Sequence, residues 1–188
     1  MIYYFNSAKK SALPDFSQKL KKLLKKKQDE LDFQEVVILC IGSDRATGDC
    51  LGPIIGHRLS RQKKDFSIYG TLEKPVHAKN LGIAVEFIKT YHKNALIIAV
   101  DASLGVSEHI GYITLGEGAL SPGVGVDKQL PSVGDIFITG IVNLSGFGGQ
   151  MLLQTTRLNT VMQLADFISL GLYRSLTAEY VPPELVTM

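Results

Sequence analysis

Two short, wholly apolar runs most constrain what this chain can become: Val36 to Ile41 and Ala95 to Val100 are each one strand long, rich in β-branched residues and without a polar side chain to turn toward water. Strands of that kind need cover on both faces. Between them the pattern turns helical. Leu51 to Lys64 carries Ile54, Ile55 and Leu59 with Pro53 in a tolerated first turn, and Asn80 is placed to cap a helix over Leu81 to His92 whose apolar face is Ile83, Ala84, Phe87, Ile88 and Tyr91. Phe66 to Leu72 reads as a further strand between these helices. Strand, crossover helix and strand in that rhythm imply parallel pairing with right-handed connections. The expectation is an α/β three-layer sandwich with a mostly parallel central sheet and helices on both faces.

Tyr112 to Leu115 and Ile136 to Val142 add two strands, and one long helix is expected over about Met151 to Leu176. Eleven of the 18 glycines lie between Gly105 and Gly149, which marks that stretch as tight turns rather than helix. Residues 1–32 read as a basic N-terminal helical extension and 33–188 as a single α/β domain. In the extension eight lysines stand against three acids, and six of those lysines fall between Lys19 and Lys27, with Leu20, Leu23 and Leu24 at helical spacing. Such a helix docks through its leucines and leaves its lysines in water. Without interleaved aromatics it makes a poor case for nucleic acid.

With 45% apolar and 20% charged residues, 188 residues are enough to bury a real core, so disorder is excluded. No apolar run reaches the roughly 18 to 20 residues of a membrane span, and Met1 to Lys10 lacks a secretory pattern, so a cytoplasmic protein is expected. Cys40 and Cys50 form no CxxC pair and read as two reduced thiols.

In parallel sheets ligands bind at the carboxyl ends of the strands. Two carboxylates are expected there: Asp49, in the loop from Gly42 to Pro53, and Asp101, directly after the apolar run ending at Val100. An aspartate against a buried strand end is partly desolvated and becomes a candidate for acid/base work; a helix cap and a strand-end turn are the alternatives. Neither the Gly42 to Pro53 loop nor Gly146 to Gly149 carries a phosphate-binding fingerprint. His57, His77, His92 and His109 are scattered, His92 being read as a dipole contact at a helix C-terminus, and Asp44 with Arg45 as a local ion pair.

The segment Ile41-Gly42-Ser43 through Thr47-Gly48-Asp49-Cys50-Leu51-Gly52-Pro53 resembles the first aspartate loop of the germination proteases of spore-forming bacteria. Val100-Asp101-Ala102-Ser103-Leu104 is similar to their second aspartate motif, and Ser121 to Asp127 to their proline-glycine loop. Hydrogenase maturation endopeptidases share the two acidic positions. The resemblance spans roughly residues 33 to 176 and implies a phosphorylase/hydrolase-like sandwich whose catalytic pair is Asp49 and Asp101, in an atypical aspartic-type peptidase of sporulation or germination. It implies small acid-soluble spore proteins as substrate, met by Asp44, Thr47, Gly48, Gly123 and Gly125, and no cofactor. The hydrogenase enzymes carry a metal-sensing histidine after the second acid; here no histidine follows His109, so no metal is assigned, and His109 is kept as the nearest candidate. A binding module that holds a peptide without cutting it, and a metal- or nucleotide-binding α/β protein, are the rival readings. A protein or peptide substrate, no membrane and a possible homo-oligomer complete the expectations.

Overall fold

The computed structural model describes residues 1–62, 65–123 and 130–177. Its strands are β1 (Ile2–Asn6), β2 (Glu35–Cys40), β3 (Ser67–Tyr69), β4 (Ala95–Gly105), β5 (Tyr112–Glu117) and β6 (Ile136–Leu144). Its helices are α1 (Ala12–Leu31), α2 (Leu51–Ser60), α3 (Leu81–Tyr91), α4 (Gly149–Gln154) and α5 (Leu158–Leu176), with a short turn of 3-10 helix at Ser107–His109. The strands form one sheet in the order β1-β5-β6-β4-β2-β3. Pairings from β6 to β3 are parallel, whereas β5 runs antiparallel to both β1 and β6.

The two apolar runs become the central strands because only there are both faces covered. Ile38 and Cys40 of β2 turn to a core built with α1, α2 and α5, while Val37 and Leu39 turn to a second core under α3. That alternation is the two-residue period of a strand. On the first face Leu20, Leu51, Ile55, Ile168 and Leu172 are fully buried, each worth about 1.5–3 kcal/mol relative to exposure.

Residues 1–32 are not an extension. β1 pairs with β5 along its whole length, Tyr4 opposite Thr114, and forms an edge of the sheet. α1 carries Ala12, Phe16, Leu20 and Leu23 into the main core, where the Phe16 ring meets Phe5 and Phe167 edge-on at 5.4 and 5.6 Å. The lysines obscured this in the sequence. Lys26 and Lys27 clamp Glu117 of β5 at 2.8 and 2.9 Å, and Lys19 sits 3.8 Å above the Tyr3 ring.

Other boundaries differ for physical reasons. β4 does not stop at Val100: its pairing with β6 continues to Gly105, with a register shift at Ser103/Leu104, so Asp101 lies inside the strand opposite Thr139. The expected final helix breaks into α4 and α5, because buried Thr156 turns its hydroxyl back to donate to Leu152 O at 2.8 Å and Arg157 is extended. Asn80 makes no side-chain cap to α3; its Oδ1 accepts from His77 N–H at 2.8 Å and its Nδ2 donates to Pro75 O at 3.0 Å. α3 also buries a different face from the expected one, Leu81, Val85 and Ile88, and leaves Ile83, Phe87 and Tyr91 exposed. Among the described residues no helix is long and apolar enough to cross a membrane.

Candidate active site

The chain leaves β2 for β3 on one side and returns past β2 to place β4 on the other. The loops at the carboxyl ends of β2 and β4 therefore part, opening the crevice where such sheets take ligands. Ile41 N–H still bonds Val100 O at 2.7 Å, and Gly42 N–H bonds Val76 O at 2.8 Å. Beyond them the β2 loop folds back on itself: Ser43 N–H donates to the Asp49 carbonyl at 3.1 Å, and the Cys50 thiol donates to Thr47 O at 2.8 Å. Gly42 sits at φ 138°, and a Cβ there would lie 2.0 Å from Asp49 O, so the return that presents Asp49 requires glycine.

Asp49 and Asp101 line one cleft of about 320 Å³, a size suited to part of an extended peptide. Asp101 is 7% exposed and its Oδ1 accepts a hydrogen bond from Ala102 N–H at 2.8 Å. Burial, reinforced by the charge of Asp49, holds the Asp101 carboxyl well above the usual carboxylate range against that single donor. Burial also raises Asp49, opposed by the backbone N–H of Ser43 and by the charge of His77. Two carboxylates so placed do not ionise independently, and their titrations belong to the pair. The arrangement keeps a proton on the deeper acid while the half-buried one ionises first.

Three side chains that sequence reasoning left outside the site face this cleft: His77, Lys79 and Arg45. His77 follows Val76, which bridges to Ile41, and its Nδ1 accepts from Lys79 N–H at 3.3 Å, which leaves the proton of the neutral ring on Nε2. Its position after β3, at the same edge of the sheet as the Asp49 loop, was the available signal. Arg45 makes no salt bridge with Asp44, contrary to the expected local pair. Gln150, Leu153 and Gln154 of α4 form another wall, one that no sequence pattern announced.

The expected substrate contacts divide. Gly123 lines the cleft; Gly125 lies outside the described residues. Asp44 is exposed and, like Thr47 and Gly48, is not part of the lining. Gly48 instead packs behind the loop, where its N–H donates to Leu153 O at 2.7 Å. His109 is remote from the cleft, its ring between Tyr4 and Tyr112 at 5.3 and 5.0 Å. His92 does more than face a helix end: Nε2 is 2.6 Å from the Tyr69 hydroxyl and Nδ1 is 3.0 Å from Glu35 Oε2. Cys40 and Cys50 are both free and buried, and burial raises both thiols. Among the described residues no group of three or more His, Cys, Asp or Glu side chains is arranged to hold a metal ion.

Residues 4–171 match the family described as "Protein of unknown function (DUF1256)". Over 138 residues the chain is 50% identical to "Uncharacterized protein YyaC" of Bacillus subtilis (strain 168), covering 73% of this chain and 67% of that one. Among solved structures, the [NiFe] hydrogenase maturation protease HycI from Thermococcus kodakarensis KOD1 superposes with a TM-score of 0.46 at 18% identity, covering 73% of this chain and 92% of that one.

Proposed function

The chain belongs to the DUF1256 family, and we propose that it is an endopeptidase of atypical aspartic type, acting inside the cell on a protein substrate during sporulation or germination. The observation that carries the reading is the coupled pair of desolvated carboxylates, Asp49 and Asp101, facing one open cleft at the sheet's switch point. The stage of action, and small acid-soluble spore proteins as the substrate, rest on the three motifs shared with germination proteases.

In this mechanism Asp101 keeps its proton, because burial and the neighbouring charge both oppose its ionisation. It donates that proton to the scissile carbonyl oxygen. Asp49, the more exposed acid, is ionised and takes a proton from the attacking water as general base. The tetrahedral intermediate then collapses, the C–N bond breaks, and the proton held by Asp49 passes to the leaving amine. Ile41, Ala102, Leu104 and Leu153 supply the apolar walls that keep the polypeptide beside the pair.

The test is incubation of the pure protein with a spore protein extract, followed by mass spectrometry of new fragments. Fragments that appear with the parent and are absent with Asp49→Asn and Asp101→Asn support the reading. A parent that binds extract proteins and cuts none makes this a binding module, and fragments that persist with both variants remove the aspartate pair from the chemistry.

A further inference from the structure

α3 is apolar on two faces. Leu81, Val85 and Ile88 point into the core, and roughly 120° around the helix Ile83, Phe87 and Tyr91 form a second stripe, four residues apart. These three are 76%, 47% and 69% exposed. The Phe87 and Tyr91 rings lie 4.3 Å apart and Tyr69 adds a third ring 6.0 Å from Phe87, so the stripe is an ordered aromatic surface. A helix hydrophobic on both sides is ordinarily covered on both.

We propose that this stripe joins the chain to a second copy of itself as an antiparallel, two-fold pair of α3 helices. Self-complementarity is the argument. A dyad through Phe87 sets Phe87 against the partner's Phe87, and Ile83 against the partner's Tyr91, so one patch serves both sides of an isologous contact. The same register brings Glu86 beside the partner's Lys89 and Lys89 beside the partner's Glu86. Within one chain these two side chains make only a long contact of 3.9 Å and are both largely exposed, which leaves them free to exchange partners. Gly82 fits the same arrangement. Nothing lies within 4 Å of where its Cβ would stand, so the fold itself does not demand a glycine there, whereas an approaching helix uses the space. Aromatic side chains carry about 150–250 Å² each; at these exposures the stripe offers on the order of 400 Å² per protomer, and its polar flanks bring the total across the dyad near the ~1,000 Å² of a specific interface.

The experiment is sedimentation of the full chain from micromolar to about 100 µM. The parent is expected as a dimer, and Ile83→Glu and Phe87→Glu as monomers over the whole range, a loss of affinity of at least about 100-fold with circular dichroism unchanged. Ile83 is so exposed that its replacement leaves the fold intact even if that of Phe87 does not. Glu86→Lys and Lys89→Glu should each weaken the dimer about tenfold, and the double reversal should restore it, because only a paired register predicts rescue. A parent that stays monomeric at every concentration overturns the proposal, as does a dimer indifferent to Ile83→Glu and Phe87→Glu or a double reversal that fails to rescue.

Discussion

Gly48 donates its backbone N–H to Leu153 O across 2.7 Å, and through this bond the loop that presents Asp49 is fastened to α4, another wall of the cleft. A Cβ on Gly48 would lie 2.8 Å from both Leu153 Cδ2 and Thr156 Oγ1 and 3.1 Å from Leu153 Cα. Gly48→Ala is therefore expected to push α4 off the loop, destabilising the protein by about 1–3 kcal/mol. Urea denaturation measures the cost, and faster proteolysis near residues 149–156 locates it. A variant with parental stability and parental cleavage would show that the two walls are not mechanically joined.

Replacing either acid should abolish cleavage without opening a cavity, since Asn keeps the size of Asp. The expected loss is at least about 10²–10⁴ in rate, and Asp49→Asn/Asp101→Asn should be little worse than either single variant, because the two carboxyls act as one unit. Asp44→Asn, on the exposed part of the loop, should cleave like the parent. Single-turnover rates on one identified substrate separate these cases.

Asp101 also sets a stability signature that needs no substrate. Its folded pKa is raised, whereas in the unfolded chain it ionises near the ordinary value of about 3.9. Its contribution is therefore complete below the unfolded pKa and is lost as pH rises toward the folded one. Asp101→Asn removes that loss. Thermal melts should find the variant more stable than the parent at pH 7 to 8, with the difference shrinking toward pH 4. A variant equally displaced at every pH would contradict a protonated Asp101.

His77 should tune Asp49. In its charged form it favours the ionised carboxylate, so His77→Gln is expected to raise the Asp49 pKa further and to move the acid limb of the pH–rate profile to higher pH. Carbon-13 NMR of labelled aspartate reads the same shift directly. No movement in a folded variant would place the imidazole outside the electrostatics of the pair.

The first thirty residues should prove indispensable. Phe16 is fully buried against Phe167 and Gly171, and Phe16→Ala is expected to cost about 3–5 kcal/mol. Deleting residues 1–30 removes β1, Phe16 and Leu20 together and should leave a chain with no cooperative thermal transition.

The central strands and the position of Asp49 were legible because they are encoded locally: a strand buried on both faces has few polar residues, and the loop after it is spelled out in glycines. β1 was not, since Tyr4 and Ile2 are exposed while Tyr3 and Phe5 turn inward, and five residues at a sheet edge carry too little pattern to separate from a tail. Asp101 was placed at the right edge of the cleft but at the end of its strand, because what prolongs β4 is pairing with β6, some 38 residues further on. His77 and the α4 wall depend on tertiary approach. Their own neighbours in sequence say nothing of Asp49.

β1 also sets an order of events during synthesis. It is made first, yet Tyr4 pairs with Thr114, and Phe16 waits for Phe167 and Gly171. At about 5–20 residues per second, the opening strand and helix spend several seconds without their partners. Through that interval Phe5, Phe16 and Leu20 are uncovered, and the flanking lysines are what keep the nascent segment from associating with its neighbours.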